Sequence, residues 1–541
     1  NFESSKESMH YNEYPEVSLL GSIPYYAAVK YPNLFKRLQE LERKYGGKRT
    51  NKEPRSGVMV ETPAPLPNSA YEKMNFAQLI DSFKKYDDST GWGAPREHHF
   101  NGGIVEHSRA FASQVTKKPE YFYDFIINLG SEGISSVYIQ AGLSGLVKAK
   151  YDVEKIRNII LKYSSTENSE FRKEIIRAIE YIHNTDDLDI ELINILREYA
   201  LNDSDPTEEH WQEVGHTGTA YYGGDPLTEG INHVRGSAVY ALLHHAFTTK
   251  YPNILFEIFE KVAEDSSIAV KCCLIVYLHT MKRYDRTRTY NLFMKITKNL
   301  EPQLIRYGIE CLYNLMEKNT FESFIPHLRI AQKLNEKRGY TEVAQFTGQV
   351  LMLAHCNNYN SASQLIEEGL KDNYEVQAGA INFSIRHLTS ENQRTRDESK
   401  KIFLRFLNSD SEEVAKTYSH AFLNDFWEHN FIEIYPLLLK YSKSLVIKRD
   451  SHYYLDYLLK CVNLEPEKCL DLIENYINLQ KPDIRYNAIT GKEPMQILIG
   501  AYNRSSDENY KEKAMNVFDM MLKDDIYKRE GLTVINEIER F

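Results

Sequence analysis

Glycine and proline, 26 and 18 residues of 541, are scarce in this chain and fall mostly between segments whose apolar residues recur every three or four positions. A segment without breakers and with a 3.6-residue apolar period has one good way to hide its apolar side, which is to become a helix and bury that stripe. Ile156, Ile159, Ile160 and Tyr163 form one such stripe. Ile175, Ile176, Ile179 and Ile182 form a second, and Leu192, Ile195, Leu196 and Tyr199 a third. Alternation of period two is not what the sequence offers, so the expected class is all-α. A chain of this length exceeds one ordinary domain, so it is either multidomain or a solenoid in which each repeat packs on its neighbours.

Irregular stretches divide the helical ones. Residues 1–67 read as an N-terminal helical segment, with a helix near Ala28 to Tyr45, followed by a linker carrying Pro54, Pro63, Pro65 and Pro67. Four prolines so close together cannot sit in a helix interior. Residues 68–250 read as a helical subdomain interrupted by a Gly-rich loop over 202–230, the longest non-helical segment expected, and long loops of this kind tend to carry contacts. Residues 251–541 read as a HEAT-like α-solenoid. There a local signature recurs: a short acidic, Ser or Asn turn and then Val or Tyr opening a helix. It appears as Glu264-Asp265-Ser266-Ser267 before Val270, Lys371-Asp372-Asn373 before Val376, Ser409-Asp410-Ser411 before Val414, and Ser506-Asp507-Glu508 before Tyr510. The acid or hydroxyl is expected to cap the second helix of a pair while the Val or Tyr faces the core. The interval from Val376 to Val414 fits a two-helix repeat of HEAT or armadillo type. The architecture expected is thus an α-solenoid of HEAT-TPR-like repeats with irregular loop insertions, a form that exposes long faces to protein ligands.

Composition narrows the function classes. A net charge of −10 argues against a general nucleic-acid binder, whose affinity rests on a basic face. No apolar run approaches the roughly 18 residues of a membrane span. The six cysteines form neither CxxC pairs nor a secreted disulfide framework, which fits a reducing cytoplasm. Thirty-eight tyrosines suit either a protein interface or the rims of ordinary helices, and both readings stay open. The chain does not begin with Met, so it is expected to be a piece of something longer.

A complete catalytic site is not legible. Gly47-Lys48 and Gly491-Lys492 lack the upstream Gly and the following hydroxyl of a phosphate-wrapping P-loop. The run His98-His99-Phe100-Asn101-Gly102-Gly103-Ile104-Val105-Glu106-His107 resembles the early histidine segment of HD-type metal-dependent phosphohydrolases, but the downstream Leu243-His244-His245 lacks the Asp that would complete the cage. A structural turn, with Gly102-Gly103 starting a helix, is the favoured reading of that run. No Cys/His spacing suits zinc, and no Ser/His/Asp grouping has a nucleophile elbow. No catalytic, metal or cofactor site is therefore assigned. In the segment Tyr222 to Ala238, Gly230 or Asn232 is expected to start a helix and Gly236 and Ala238 to permit close helix approach. Arg235, if buried, is expected to pair with carbonyls or with a carboxylate such as Asp225, pinning the loop to the helix.

Taken together these segments resemble the C-terminal helical region of bacterial antiviral STAND NTPases of the Avs type. The family pattern of a Trp, then Gly-Gly and a helix, matches Trp92, Gly102, Gly103 and Glu106. Its Asp-Pro, Trp, Gly-Gly-Asp and Gly-Ile-Asn-x-Val-Arg-Gly-x-Ala match Asp205-Pro206, Trp211, Gly223, Gly224, Asp225 and the run from Gly230 through Asn232, Arg235 and Gly236 to Ala238. The end of the family region resembles Tyr502 to Asp519 and Glu537 to Arg540. Lys271 departs from the pattern, standing where an Arg is usual. The resemblance implies a cytoplasmic sensor that grips a phage packaging protein, the large terminase subunit or the portal, and so lets the full-length protein oligomerise. ATP and Mg would belong to an NTPase domain outside this chain, as would an effector, often a nuclease. A non-immune protein-binding scaffold and, behind it, an HD-like phosphohydrolase remain as alternatives.

Overall fold

The computed structural model describes residues 30–39 (except 34 and 38), 63–90, 102–183, 189–212, 221–243, 245–334, 341–423, 430–480 and 492–523. All regular structure among them is helical, with no strand. The fold is all-α. Contacts divide the chain into two units, Asn1–Pro67 with Asp88–His107, and Asn68–Asp87 with Ser108–Phe541.

In the first unit the described residues 32–33, 35–37 and 39, inside the helix expected near Ala28 to Tyr45, are helical. Most of the proline-rich stretch lies outside the described residues. The same unit contains the start of the helix Ile104–Lys117, where the Glu106 carboxylate accepts the Gly103 amide at 2.8 Å and the Thr90 hydroxyl accepts the Ile104 amide at 3.1 Å. Both are first-turn donors that a helix cannot satisfy itself. Gly102-Gly103 does precede a helix, and at Gly102 a Cβ would fall 2.1 Å from the Pro63 carbonyl oxygen, so the position admits only glycine without a backbone shift.

In chain order the helices are α1 (Asn68–Tyr71), α2 (Phe76–Lys85), α3 (Ile104–Lys117), α4 (Pro119–Asn128), α5 (Ser136–Lys148), α6 (Val153–Tyr163), α7 (Ser169–His183) and α8 (Ile190–Asn202). Then come α9 (Pro226–Asn232), α10 (Val234–Leu242), α11 (His245–Lys250), α12 (Pro252–Val262), α13 (Ile268–Ile275), α14 (Arg286–Ile296), α15 (Pro302–Leu315), α16 (Phe321–Gln332), α17 (Thr341–Cys356) and α18 (Ala362–Asp372). The last are α19 (Tyr374–Arg386), α20 (Gln393–Arg405), α21 (Glu412–His420), α22 (Phe431–Tyr441), α23 (Leu445–Arg449), α24 (His452–Cys461), α25 (Pro466–Gln480), α26 (Glu493–Arg504) and α27 (Glu508–Met521).

Within the second unit most helices pack on a neighbour in sequence and on a helix two or three places further on. One column runs α5, α7, then α10, α13, α15, α17, α19 and α21, each in contact with the next. A second, less tightly packed column includes α8, α12 and α14, and later α20, α22, α25 and α27. Such nearest-neighbour stacking is an α-solenoid of two-helix repeats. The three stripes read from sequence bury largely as expected, with Ile156, Ile159, Ile160, Ile175, Ile176, Ile179, Ile182, Leu192 and Leu196 essentially inaccessible, while Tyr163 at the end of α6 is half-buried. On α8 the inward residue is Ile193, whereas Ile195 is only half-buried.

The recurring turn signature also has its expected geometry. Ser267, Asn373 and Ser411 accept the amides of Val270, Val376 and Val414 and so cap α13, α19 and α21, and all three valines are fully buried. Asp507 caps α27 through the Asn509 amide, but Tyr510 is half-buried rather than core, because this last described helix has no following repeat among the described residues to bury it.

The tightest approach is between α17 and α19. A Cβ on Gly379 would sit 1.8 Å from the Gln345 carbonyl oxygen, and one on Gly348 would sit 2.3 Å from that of Val376. Two backbones touch here. A Gly379→Ala substitution is therefore expected to force the helices apart and cost about 1–3 kcal/mol in the manner of overpacking. The measurement is urea or thermal unfolding followed by circular dichroism, with Ala378→Gly as the control that adds no bulk. An unchanged midpoint for Gly379→Ala would show that α17 and α19 do not meet this closely.

Candidate functional site

The loop after α8 folds back onto α9, α10 and α13 through a set of carboxylates, each committed to a donor of the protein. Asp203 pairs with the Arg172 guanidinium of α7 at 2.7 Å, and Arg172 also donates to the Thr166 carbonyl at 2.8 Å. Asp205 takes the His233 ring at 2.6 Å with one oxygen and the Val234 amide at 2.9 Å with the other, while its carbonyl accepts the Arg235 amide at 3.0 Å. It thus caps α10, whose own N-cap residue, His233, makes no side-chain cap bond. Glu209 accepts the Ser267 hydroxyl at 2.8 Å and the Ala269 amide at 2.9 Å, binding the loop to the start of α13. Glu229, fully buried, accepts the His210 and Trp211 amides. A carboxylate can be buried only when its lone pairs find donors, and these backbone amides supply them.

Asp225 caps α9, accepting the Leu227 amide at 3.1 Å and the Thr228 hydroxyl at 2.9 Å, and it also accepts the Tyr307 hydroxyl of α15. Burial and that bond push the Tyr307 phenol well above its ordinary range. Arg235 does not meet Asp225. Its guanidinium donates to the Pro206 carbonyl at 3.1 Å and lies 3.6 Å from Asp265, because Asp225 is already held at the far end of α9 by its capping bonds.

The helix boundaries also differ from the sequence expectation. Gly230 and Asn232 belong to α9, which begins at Pro226, so the irregular loop ends at Asp225 and not at residue 230. The next helix starts at Val234, since Asp205 supplies from outside the cap that the local sequence lacks. Gly236 does permit close approach: a Cβ there would lie 2.2 Å from the Gly230 carbonyl oxygen, and one on Gly230 would lie 2.5 Å from that of Ala269. Three helices therefore meet at glycine. Tyr222, Gly223 and Gly224 turn with φ of 51°, 65° and 77°, a left-handed run that glycine makes cheap at two of its three positions.

Of the residues singled out from sequence, Trp211, Gly223, Gly224, Asp225, Asn232, Arg235 and Gly236 are gathered by this junction of α9, α10 and α13. Trp211 is buried, and Asn232 is exposed with its carbonyl accepting the Lys173 ammonium at 2.9 Å. Gly102 and Gly103 belong to the first unit, and Trp92 lies outside the described residues. Sequence reasoning missed Glu209, Glu229 and His233. No local signal marked them, since Glu209 and Glu229 pair with amides up to 60 residues away and His233 with the distant Asp205.

The histidine run is not assembled into a cage among the described residues. His107 is buried, and that burial pushes its pKa down to about 4, so the ring stays neutral. His98, His99 and His244 lie outside the described residues, and among those described no three His, Cys, Asp or Glu side chains are grouped to hold a metal ion. A surface groove of about 550 Å³ adjoins the junction, lined by α8 and α12 with Arg197, Glu198, Lys261, Glu264 and Asp265, and carries both signs of charge. No helix among the described residues is long and apolar enough to cross a membrane.

No protein-family model and no curated protein matches the sequence. Among solved structures, the chain is similar to the karyopherin Kap121p bound to the SUMO protease Ulp1p, with a TM-score of 0.38 and 14% identity over 87% of this chain and 49% of that one. The chain spans about half the length of that structure. A likeness at this level bears on neither function nor partner.

The junction yields a pH expectation. Burial alone would raise the Asp205 carboxyl, but the His233 hydrogen bond, the Val234 amide and the nearby cationic charge outweigh it and hold the group below its ordinary range. A depressed carboxyl stabilises the folded state above the unfolded value near about 4 and loses that contribution as pH falls through the folded one. The protection factors of the Val234 and Arg235 amides, exchange rates taken relative to the unstructured rate at the same pH, should therefore fall on acidification below that value, and Asp205→Asn should be less protected at neutral pH and flatter in its acid response. Equal protection in both proteins would remove Asp205 from the role of cap.

Proposed function

We propose that this chain is the target-sensing portion of a bacterial antiviral STAND NTPase of the Avs type, a cytoplasmic protein that recognises a phage packaging component, either the large terminase subunit or the portal. The observation that carries the reading is the Gly230 to Ala238 run, together with its partners Asp205, Trp211 and Asp225. Of the residues quoted for the resemblance, those from Asp205 to Ala238 meet at one junction, and Gly230 and Gly236 are required there by helix contact.

The broader claim, that the chain works by binding another protein, is supported by its solenoid architecture and by aromatic residues presented on successive repeats. The Tyr240 and Tyr277 rings lie 5.4 Å apart, and Tyr313 and Phe346 lie 5.5 Å apart, along the column, on α10, just after α13, on α15 and on α17. Tyr277 and Tyr313 are each 41% exposed, so they offer rigid apolar area to a partner at small entropic cost. A target that binds only the assembling arrangement of the full-length protein would shift its population toward that arrangement, where an NTPase domain carrying ATP and Mg would oligomerise.

The test is co-elution of the purified chain with large terminase subunits and portals from phages of its host. One of the two classes should co-elute, and Tyr277→Ala with Tyr313→Ala should weaken binding about tenfold or more without lowering the thermal midpoint. Failure with both classes across a broad phage set would overturn the phage reading, and capture of a defined host protein in their place would make the chain a scaffold.

A further inference from the structure

Away from the junction, the three neighbouring helices α17, α18 and α20 bring together a hydroxyl, an imidazole and a carboxylate in a line. The Ser363 hydroxyl on α18 lies 2.9 Å from His355 Nδ1 on α17, and His355 Nε2 lies 3.1 Å from Glu398 Oε2 on α20. Burial raises the Glu398 carboxyl, but hydrogen bonds from Lys401 and His355 more than offset this and hold it below its ordinary range, so it is ionised and must accept from Nε2–H. In the neutral ring Nδ1 is then left as an acceptor aimed at the Ser363 hydroxyl. The tautomer is set by the carboxylate. His355 and Glu398 are only 18% and 21% exposed, while Ser363 is open to solvent. His355 is held further from behind, since Arg394 donates to its carbonyl at 3.2 Å.

The nucleophile also sits at a positive helix end. Ser363 and Gln364 occupy the first turn of α18, where Ala362 and Leu365 donate to Tyr359 and Ser361, and the amides of Ser363 and Gln364 have no acceptor among the described residues. Unpaired first-turn amides favour developing negative charge nearby. Nucleophile, base, orienting carboxylate and amide donors are the four parts that acyl transfer uses.

We propose that Ser363, His355 and Glu398 form a surface acyl-transfer site that hydrolyses small activated carboxylic esters. Ser363 Oγ forms a bond to the ester carbonyl carbon as its proton passes to His355 Nδ1. The carbon–oxygen bond to the leaving group breaks, and His355 returns the proton to the departing alkoxide. Water then attacks the acyl-serine, giving its proton to Nδ1 and, as the acyl bond breaks, the proton passes to Ser363 Oγ. The net reaction is ester plus water to acid plus alcohol. Glu398 remains ionised throughout and acts as a positioning residue. The absence of a nucleophile elbow in the sequence does not bear on this arrangement, because its members come from three helices instead of one strand–turn–helix.

The experiment treats the whole chain with a fluorophosphonate probe and maps adducts by peptide mass spectrometry, taking the exposed Ser69 as internal reference, alongside p-nitrophenyl acetate hydrolysis. Ser363 should label at least tenfold faster than Ser69, His355→Gln should remove that advantage, and Ser363→Ala should abolish the ester turnover. Glu398→Gln should slow labelling without abolishing it, which a purely structural carboxylate would not do while circular dichroism and thermal midpoint stay unchanged. Labelling of Ser363 at the rate of Ser69, or labelling indifferent to His355→Gln, would overturn the proposal. Neither outcome touches the phage-protein binding test, which does not involve these residues.

Discussion

Everything else in the second unit depends on the burial of one helix's apolar stripe against the next helix of its column. A buried Ile or Leu is worth about 1.5–3 kcal/mol, so four of them on α7 outweigh any single cap, which contributes about 1 kcal/mol. The stripe decides that a helix docks and which side faces inward. The cap decides where the helix begins, and with it the register in which the next repeat is laid down. Because each repeat contacts only those beside it, long loops can be inserted without disturbing repeats further along, and the loop after α8 is such an insertion.

Close approach is the second constraint. Where two columns of helices stack through large side chains, small differences in packing are absorbed by rotamers. At α17 and α19 there are no side chains between the backbones at Gly348 and Gly379, so nothing can adjust. The same holds at Gly230 and Gly236, where α9, α10 and α13 converge. These rigid contacts fix helix positions on either side, and the polar network around Asp205, Glu209, Asp225 and Glu229 can then be built to hydrogen-bond distances instead of being left to fluctuate.

The sequence made the helical class, the buried faces of α6, α7 and α8 and the caps of α13, α19 and α21 legible, because each depends on residues within one turn of each other. What it did not make legible depends on distance along the chain. Asp205 caps α10 from across a loop, so that helix starts at Val234, later than the Gly230 or Asn232 that local sequence suggests. Arg235 takes the carbonyl that its sequence setting calls for, from Pro206, but its carboxylate neighbour is Asp265 and not Asp225, which is drawn to α9 and to Tyr307. Ile195 belonged to the stripe by spacing but yielded its place to Ile193, since the core side of α8 is set by what α10 and α12 present to it.

The same logic separates the two groups of polar residues that a search for chemistry would select. In the α9–α10–α13 junction the carboxylates are already neutralised or capped by protein donors, and a ligand would have to displace an amide or a guanidinium to reach them. Such groups hold shape. At Ser363 the hydroxyl faces solvent, the imidazole behind it is oriented by a carboxylate, and the adjacent amides are uncommitted. A nucleophile reacts because it still has a partner to gain, and in this chain that condition is met on the outer surface of a repeat and not in its most elaborate loop. A solenoid makes this possible at little cost, because a cluster drawn from the packed helices α17, α18 and α20 relies on contacts that the stacking has already fixed.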